Sequence, residues 1–211
     1  VSSNASGFKL GTETSGAFED ITVQNCVVYD TRGSAIGIMT VDGARIERVN
    51  FSDITARNVK GTAIFIRLGI RNRTYRKNAE IQTPILRNMT IENIQGTRIS
   101  TGCSVTGIQN IPVKNIVMRN IDLEFDGGRT AKDSYRQIPE KEKSYPSWSM
   151  FDILPAYGFF VRHAKGITLD DVRLSFAREE QRPALLCEDV EQLEVKDLRA
   201  QGSSNAPELM R

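Results

Sequence analysis

The chain has 211 residues, of which 39% are hydrophobic, and this is enough for one domain with a continuous apolar core. Its 28 lysine and arginine residues nearly balance its 26 aspartate and glutamate residues, which leaves a net charge of +2. This balance argues against a general nucleic-acid or membrane-surface partner. No apolar run approaches the roughly 20 residues that span a bilayer, so no membrane span is predicted.

The first predicted strand is short and belongs to a repeat. Phe8-Lys-Leu10, Ile36-Gly-Ile38 and Ile64-Phe-Ile66 follow one another at intervals of 28 residues. Looser counterparts occur at 104–108, 158–161 and 184–187. Apolar positions that alternate with period two, separated by Gly, Asn, Asp and Ser turns, are typical of strands rather than helices.

A second predicted strand follows each short one and ends in Asn or Asp. Six such segments begin 28, 40, 27, 51 and 26 residues apart, and they end at Asn25, Asp53, Asn93, Asn120, Asp171 and Asp197. A recurring period of this size indicates a solenoid of stacked coils. We interpret the Asn/Asp column, including the Asp170-Asp171 pair, as scaffold that bonds turns and stacks between coils.

The repeats predict an all-β fold, a parallel β-helix of about six coils in a single domain covering 1–211. The two long intervals predict insertions at about 68–82 and 126–152. The first ten residues enter a strand pattern at once, without a signal peptide or a polar cap. Because the open ends of solenoids need capping, we expect this chain to be the C-terminal part of a longer protein.

Both predicted insertions are candidates for specificity, because loops on a rigid scaffold often carry function. The first is basic and is interpreted either as an anion-binding rim or as a solvated loop; with its flank it holds Arg67, Arg71, Arg73, Arg76 and Lys77. The second contains Tyr135, Tyr145 and Trp148, which could face sugar rings or pack the loop onto the solenoid wall.

No metal site and no cofactor are predicted. The cysteines Cys26, Cys103 and Cys187 are odd in number, far apart and placed in or beside apolar strands, which favours buried free thiols. With one histidine, His163, and no Cys-x-x-Cys pair, a structural zinc site has almost no support. We interpret His163 as structural.

Several segments resemble polygalacturonases, the glycoside hydrolases of family 28, in their Bacteroidetes-type branch. Gly7–Cys26 resembles the Gly-His-Gly-Ile-Ser-Ile-Gly-Ser strand and the coil after it, and the likeness continues through Ala63–Gly69, Cys103–Ile108 and Leu154–Gly166. The resemblance implies a right-handed, pectin-lyase-like parallel β-helix. It also implies inverting hydrolysis of α-linked uronic-acid or rhamnogalacturonan chains of pectin, in a secreted or periplasmic setting.

The resemblance also shows what this chain lacks. The family's catalytic aspartates lie in Asn-Thr-Asp-Gly and Gly-Asp-Asp motifs, and neither occurs here, so we expect them before Val1 and assign no catalytic residue. The chain by itself is expected to be inactive. Ser6 stands where the family has histidine, and Gly37 and Met39 stand where it has substrate-binding Arg and Lys. The ordinary polygalacturonase pocket is therefore not present.

Strand geometry suggests a replacement site. If the apolar residues of the short strands point inward, Lys9, Gly37 and Phe65 share one outward column. The next outward column reads Gly11, Met39 and Arg67. We hypothesise that Lys9 and Arg67 bind uronate carboxylates, with Gly37 leaving room for a sugar. The predicted substrate-binding set is completed by Glu13, which could bond sugar hydroxyls, and by Ser6 and Arg71.

The resemblance implies that this chain is part of a glycoside hydrolase whose partner is an acidic pectic polysaccharide. The alternative is a non-catalytic β-helix for adhesion or glycan binding, which the departures at Ser6, Gly37 and Met39 support. A pectate-lyase-like eliminase would need a calcium-binding acidic cluster on the cleft strands. That face here is neutral to basic, which argues against an eliminase.

Overall fold

The computed structural model describes residues 1–75, 77–78, 80–202 and 209–210. The strands, in chain order, are β1 (Phe8–Leu10), β2 (Ala17–Thr31), β3 (Ile36–Thr40), β4 (Arg45–Thr62), β5 (Ile64–Leu68), β6 (Ile85–Thr101), β7 (Cys103–Thr106), β8 (Val113–Gly127), β9 (Phe159–Arg178), β10 (Leu185–Ala200) and β11 (Leu209–Met210). A short 3-10 helix occupies Ala131–Tyr135. Within the described ranges, no helix is long and apolar enough to cross a membrane.

The strands form two parallel ladders that meet at β9. The short strands pair in the order β1–β3–β5–β7–β9, and the long strands pair in the order β2–β4–β6–β8–β9. The start of β9 pairs with β7 and its remainder pairs with β8, so β9 belongs to both ladders. β10 adds to β9, again in parallel. Because the chain passes from one ladder to the other in each coil, the fold is the parallel β-helix that the sequence predicts.

The long strands bend at the predicted Asn/Asp column. All six residues have a positive φ between 48° and 57°: Asn25, Asp53, Asn93, Asn120, Asp171 and Asp197. Asn and Asp adopt this left-handed conformation at a lower cost than most residues with a Cβ atom. Strand pairing resumes after each of them, so the predicted strand turns a corner there instead of ending.

The same column links neighbouring coils through side chains. Asn93 Nδ2 donates a hydrogen bond to Asp53 Oδ1 at 3.0 Å, and Asn120 Nδ2 donates to Asn93 Oδ1 at 2.8 Å. These bonds run from coil to coil, as the stacking interpretation predicts. The column is therefore scaffold.

Apolar side chains inside the coils form ladders through the core. Val49, Met89, Ile116 and Ile167 are paired on successive long strands and are at most 1% exposed. Neighbouring strands stand about 4.8 Å apart, so each such side chain packs on its equivalents in the adjacent coils.

The three cysteines are free thiols, as predicted. Cys103 and Cys187 are buried, and Cys26 is half-buried. Burial raises the pKa of Cys103 and of Cys187 to about 11, so both stay protonated and unreactive near neutral pH.

Two long connections interrupt the coils close to the predicted insertions, at 69–84 and 128–158. The second one packs on the outer face of the short-strand ladder. It builds a second apolar cluster there, which comprises Met39, Phe65, Ile138, Met150, Phe151, Leu154, Ala156, Phe160 and Leu186. The outer face of β5 is therefore covered by protein.

Candidate functional site

The register of the short strands matches the predicted outward columns. Lys9 pairs with Gly37, Gly37 pairs with Phe65, and Met39 pairs with Arg67. The columns continue through Ser104 and Phe160, and through Thr106 and Arg162. Among these residues Lys9 alone is exposed, so the accessible part of the face lies on the first coil.

A cleft of about 290 Å³ opens beside Lys9, between the first two coils and the second insertion. We call it the tip cleft, and we call the segment 145–149, which forms one of its walls, the tip. The opposite wall includes Ser6, Arg32 and Ser34. The cleft therefore joins residues that are more than a hundred positions apart in the sequence.

Two cations line the tip cleft. Lys9 Nζ donates a hydrogen bond to the Tyr145 hydroxyl at 3.3 Å and lies 5.6 Å from the centroid of its ring. Arg32 is exposed in the turn between β2 and β3. Within the described ranges, neither residue takes part in an ion pair with a carboxylate. Their positive charges are thus available to an anionic ligand.

Two aromatic side chains form the rim on the side of the tip. Tyr145 is 51% exposed, and its hydrogen bonds with Thr12 and Lys9 lower its pKa. Trp148 lines the cleft and packs against Gly61, where an added Cβ atom would lie 3.0 Å from its ring. The sequence left two roles open for these aromatics, contact with sugar rings or packing on the solenoid. The structure places Tyr145 and Trp148 in the cleft wall.

Ser6 lies in the wall of the tip cleft, where its hydroxyl is 2.9 Å from that of Ser34. The predicted opening over Gly37, however, is wrong. A Cβ atom at Gly37 would lie 2.7 Å from Ser34 Oγ and 3.1 Å from Met39 Cε, so neighbouring side chains already fill that space. A sugar has no room directly above Gly37.

Arg67 does not reach the cleft, which corrects its predicted role as a substrate-binding residue. It is 0% exposed and donates to the carbonyl oxygens of Gly107 at 2.8 Å and Glu140 at 2.7 Å. Burial, together with the nearby charge of Arg162, lowers its pKa to about 10. Arg67 is buried because the second insertion passes over the outward column that contains it.

Arg71 is committed to an internal ion pair instead of facing a ligand. Its guanidinium bonds both carboxylate oxygens of Asp42, and its side chain is 5% exposed. Asp42 also accepts a bond from the Arg73 backbone at 3.0 Å and one from the Tyr75 hydroxyl at 2.9 Å. Burial alone would raise the pKa of Asp42, but these bonds outweigh it and lower the pKa. The pair fixes the first insertion.

Arg71 nevertheless supports the tip, because its guanidinium carbon lies 5.3 Å from the centroid of the Tyr145 ring. Glu13 is exposed in the connection after β1, and its negative charge acts on Arg71 and Tyr145. It therefore lies near the cleft without lining it. In the basic first insertion Arg73 and Lys77 are exposed, whereas Arg76 lies outside the described residues.

His163 lies away from the tip cleft, in a polar groove of about 390 Å³. Its Nδ1 is 2.5 Å from Asp189 and its Nε2 is 3.2 Å from Glu140. Both ring nitrogens are therefore engaged by carboxylates, which agrees with a structural role.

Sequence reasoning missed Arg32 and Ser34 as cleft residues. Both belong to a turn, and the period-two pattern that aligned the strands says nothing about the direction of turn side chains. The signal that could have found Ser34 is its place one coil after Ser6, at the 28-residue interval that separates the two hydroxyls.

Comparison with protein families identifies one match over most of the chain. Residues 5–144 match the family described as glycosyl hydrolases family 28. Comparison with curated proteins and with solved structures yields no match. The matched region contains the first insertion and both cleft cations, Lys9 and Arg32. It ends one residue before the tip. The chain belongs to glycosyl hydrolases family 28.

Proposed function

We propose that the tip cleft is a substrate-binding site for an acidic, uronate-containing pectic polysaccharide. Family membership supports a glycoside hydrolase that acts on pectic polysaccharides. The finer assignment, to an α-linked uronic-acid chain cut with inversion, is part of the proposal. In it, this chain provides one wall of the groove that holds the polysaccharide.

The observation that carries the proposal is the pairing of free positive charge with exposed aromatic surface. Lys9 and Arg32 lie in the same cleft as Tyr145 and Trp148. An arginine can bind a carboxylate through two parallel hydrogen bonds, while a lysine acts as a point charge. An aromatic ring offers apolar surface to a sugar ring and, in tyrosine, a polar end as well. Together these groups suit a sugar that carries a carboxylate.

The proposal assigns binding, not bond cleavage, to the residues of this chain. Inverting hydrolysis needs two carboxyl groups about 6.5–9.5 Å apart, one as acid and one as base. The described residues that line the tip cleft include no aspartate or glutamate. We therefore propose that hydrolysis uses carboxylates that these 211 residues do not supply.

Binding can be tested with a matched pair of ligands. Trigalacturonate and the neutral galactotriose would be titrated into the protein and followed by calorimetry and Trp148 fluorescence. We expect trigalacturonate to bind at least about tenfold more tightly, because a charge-assisted hydrogen bond contributes about 1.5–3 kcal/mol. Added salt should weaken this preference, since exposed charge pairs are screened. Equal affinity for both ligands would contradict the proposal.

A non-catalytic glycan-binding module is the second candidate, and the cleft without carboxylates favours it. Release of reducing ends from homogalacturonan and rhamnogalacturonan by the full-length gene product separates the two, because the carboxylates of hydrolysis are proposed to lie outside this chain. Binding of trigalacturonate without any release of reducing ends would favour the binding module. Release of reducing ends would favour the hydrolase and identify the backbone that is cut.

We also propose a secreted or periplasmic location, because pectic polysaccharide is an external polymer. Fractionation of the producing cells with an antibody against the chain would test it. Protein confined to the cytosolic fraction would contradict the proposal.

A further inference from the structure

Two buried arginines hold the segment that precedes the tip. Arg67 donates to Glu140 O at 2.7 Å, while Arg162 donates to Ile138 O at 2.6 Å and to Pro139 O at 3.2 Å. We call residues 138–142 the anchor segment. Three consecutive carbonyl oxygens of this segment are thus bound by guanidinium groups from the short-strand ladder.

The two arginines act from one column of the ladder. Arg67 pairs with Thr106, and Thr106 pairs with Arg162, so the guanidinium groups come from coils two steps apart. Arg67 is 0% and Arg162 is 3% exposed. Both guanidinium groups also lie over the ring of Phe151. The guanidinium carbon is 5.5 Å from the ring centroid in Arg67 and 5.7 Å from it in Arg162. They therefore contact the insertion both before and after the tip.

Further contacts close the loop that carries the tip. The backbone N–H of Ile70 donates to Glu142 O at 2.8 Å, and Lys141 Nζ donates to Met150 O. Met150 and Phe151 are buried in the second apolar cluster. With both ends of the loop 141–150 held, Tyr145 and Trp148 are presented at a defined place.

We propose that Arg67 and Arg162 are positioning residues of the tip cleft. They bind the anchor segment and thereby set Tyr145 and Trp148 against Lys9 and Arg32. Burying two guanidinium groups is costly, and apolar side chains of similar size would pack this layer without that cost. The planar fork of arginine, with donors that reach separate carbonyl groups, explains why arginine is used at both positions.

The placement of the tip can be measured independently of any ligand, because Trp148 is the single tryptophan in the chain. Arg67→Lys keeps the positive charge but cannot bridge Gly107 and Glu140. We expect acrylamide quenching of Trp148 to rise by about twofold or more. Losing a charged hydrogen bond shifts the equilibrium between the held and the released tip by roughly tenfold. Unchanged quenching in a folded Arg67→Lys protein would overturn the proposal.

Arg182→Lys provides a matched control. Arg182 is also buried, and it donates to the carbonyl oxygens of Leu154 and Ala156, which follow the tip. This control should lower the thermal midpoint while leaving the quenching of Trp148 near the wild-type value. If both variants raise quenching equally, the effect is general loosening and the proposal fails.

Arg162→Lys and hydrogen exchange give a second route if Arg67→Lys does not fold. Faster amide exchange in the peptide 138–150, with the long-strand peptides unchanged, is the expected result for Arg162→Lys. Uniformly faster exchange across all peptides, or no change in 138–150, would contradict the positioning role.

The effect on binding rests on the proposed function and is tested separately. Arg67→Lys should weaken trigalacturonate binding by about tenfold. In a Trp148→Ala background the same substitution should have little effect, because the effects of coupled residues on binding free energy are not additive. Full additivity of the two changes would overturn the positioning role. If wild-type protein does not bind trigalacturonate, the proposed function fails, and the quenching experiment still decides the placement.

Discussion

Trp148 packs against Gly61 so closely that no side chain fits between the indole ring and the end of β4. A Cβ atom on Gly61 would lie 3.0 Å from Trp148 Cδ2 and 2.4 Å from the carbonyl oxygen of Gly33. The glycine thus allows two neighbouring turns and the tip to meet at one point. Trp148 also lines the tip cleft, and its contact with Gly61 can be tested by adding a single methyl group.

Gly61→Ala should destabilise the protein by about 1–3 kcal/mol, the usual cost of overpacking, because the new methyl group meets backbone as well as the ring. We expect a shift in the Trp148 emission maximum at the same time. Gly16→Ala is the control, since nothing lies within 4 Å of a Cβ atom there. Equal effects of the two substitutions on unfolding and emission would contradict the packing described here.

Lys9→Gln should weaken trigalacturonate binding by about two- to tenfold, a range that allows for the screening of an exposed charge. Binding of galactotriose should not change, because the lost group is a charge. Lys114→Gln, at an exposed lysine of β8, is the control. Calorimetry at low and high salt would measure both, and a loss of binding that is independent of salt would argue against a carboxylate contact.

Asp42→Asn should cost about 3 kcal/mol of unfolding free energy, because it leaves the buried Arg71 without its counter-charge. Asp53→Asn is the matched control, since Asn25 and Asn93 occupy equivalent exposed corners. Urea unfolding monitored by circular dichroism would measure both changes. Similar values for the two variants would show that the Asp42–Arg71 pair contributes little.

The same pair predicts a dependence on pH. The pKa of Asp42 is lower in the folded protein than its ordinary value of 3.8. The pair's contribution is therefore fully present above that value and is lost as pH falls through the folded pKa, because the unfolded chain takes up the proton first. Below pH 3.8, Asp42→Asn should lose stability less steeply than wild type. Parallel curves of unfolding free energy between pH 5 and pH 2 would rule this out.

Asn93 separates two costs at the corner column. Asn93→Gly keeps the positive φ accessible and loses the hydrogen bonds to Asp53 and from Asn120. Asn93→Ala loses those bonds and also pays about 1–2 kcal/mol for the left-handed conformation. We therefore expect Asn93→Ala to be the less stable variant in chemical denaturation. If Asn93→Gly were instead the less stable variant, the greater backbone entropy of glycine in the unfolded chain would outweigh the cost of the left-handed conformation.

The repeats predict the architecture because they report directly on stacking. The 28-residue interval between Phe8 and Ile36 becomes a paired position in the sheet, and the outward alignment of Lys9 with Gly37 follows from it. The role of Arg67 could not be predicted in this way. Its burial depends on where residues 128–158 travel, and this path is determined by apolar contacts of Phe151 and Met150 that have no repeat.

The corners have a further consequence for the outer edge of the solenoid. A second corner column holds Asp20, Arg48, Asn88, Asn115, Gly166 and Gln192, all with positive φ. An acid, a base, amides and a glycine thus occupy one backbone geometry in successive coils. This edge tolerates chemical diversity while the interior ladders beside it stay apolar. A label or a new charge can therefore be placed at the exposed Gln192 corner without repacking the interior.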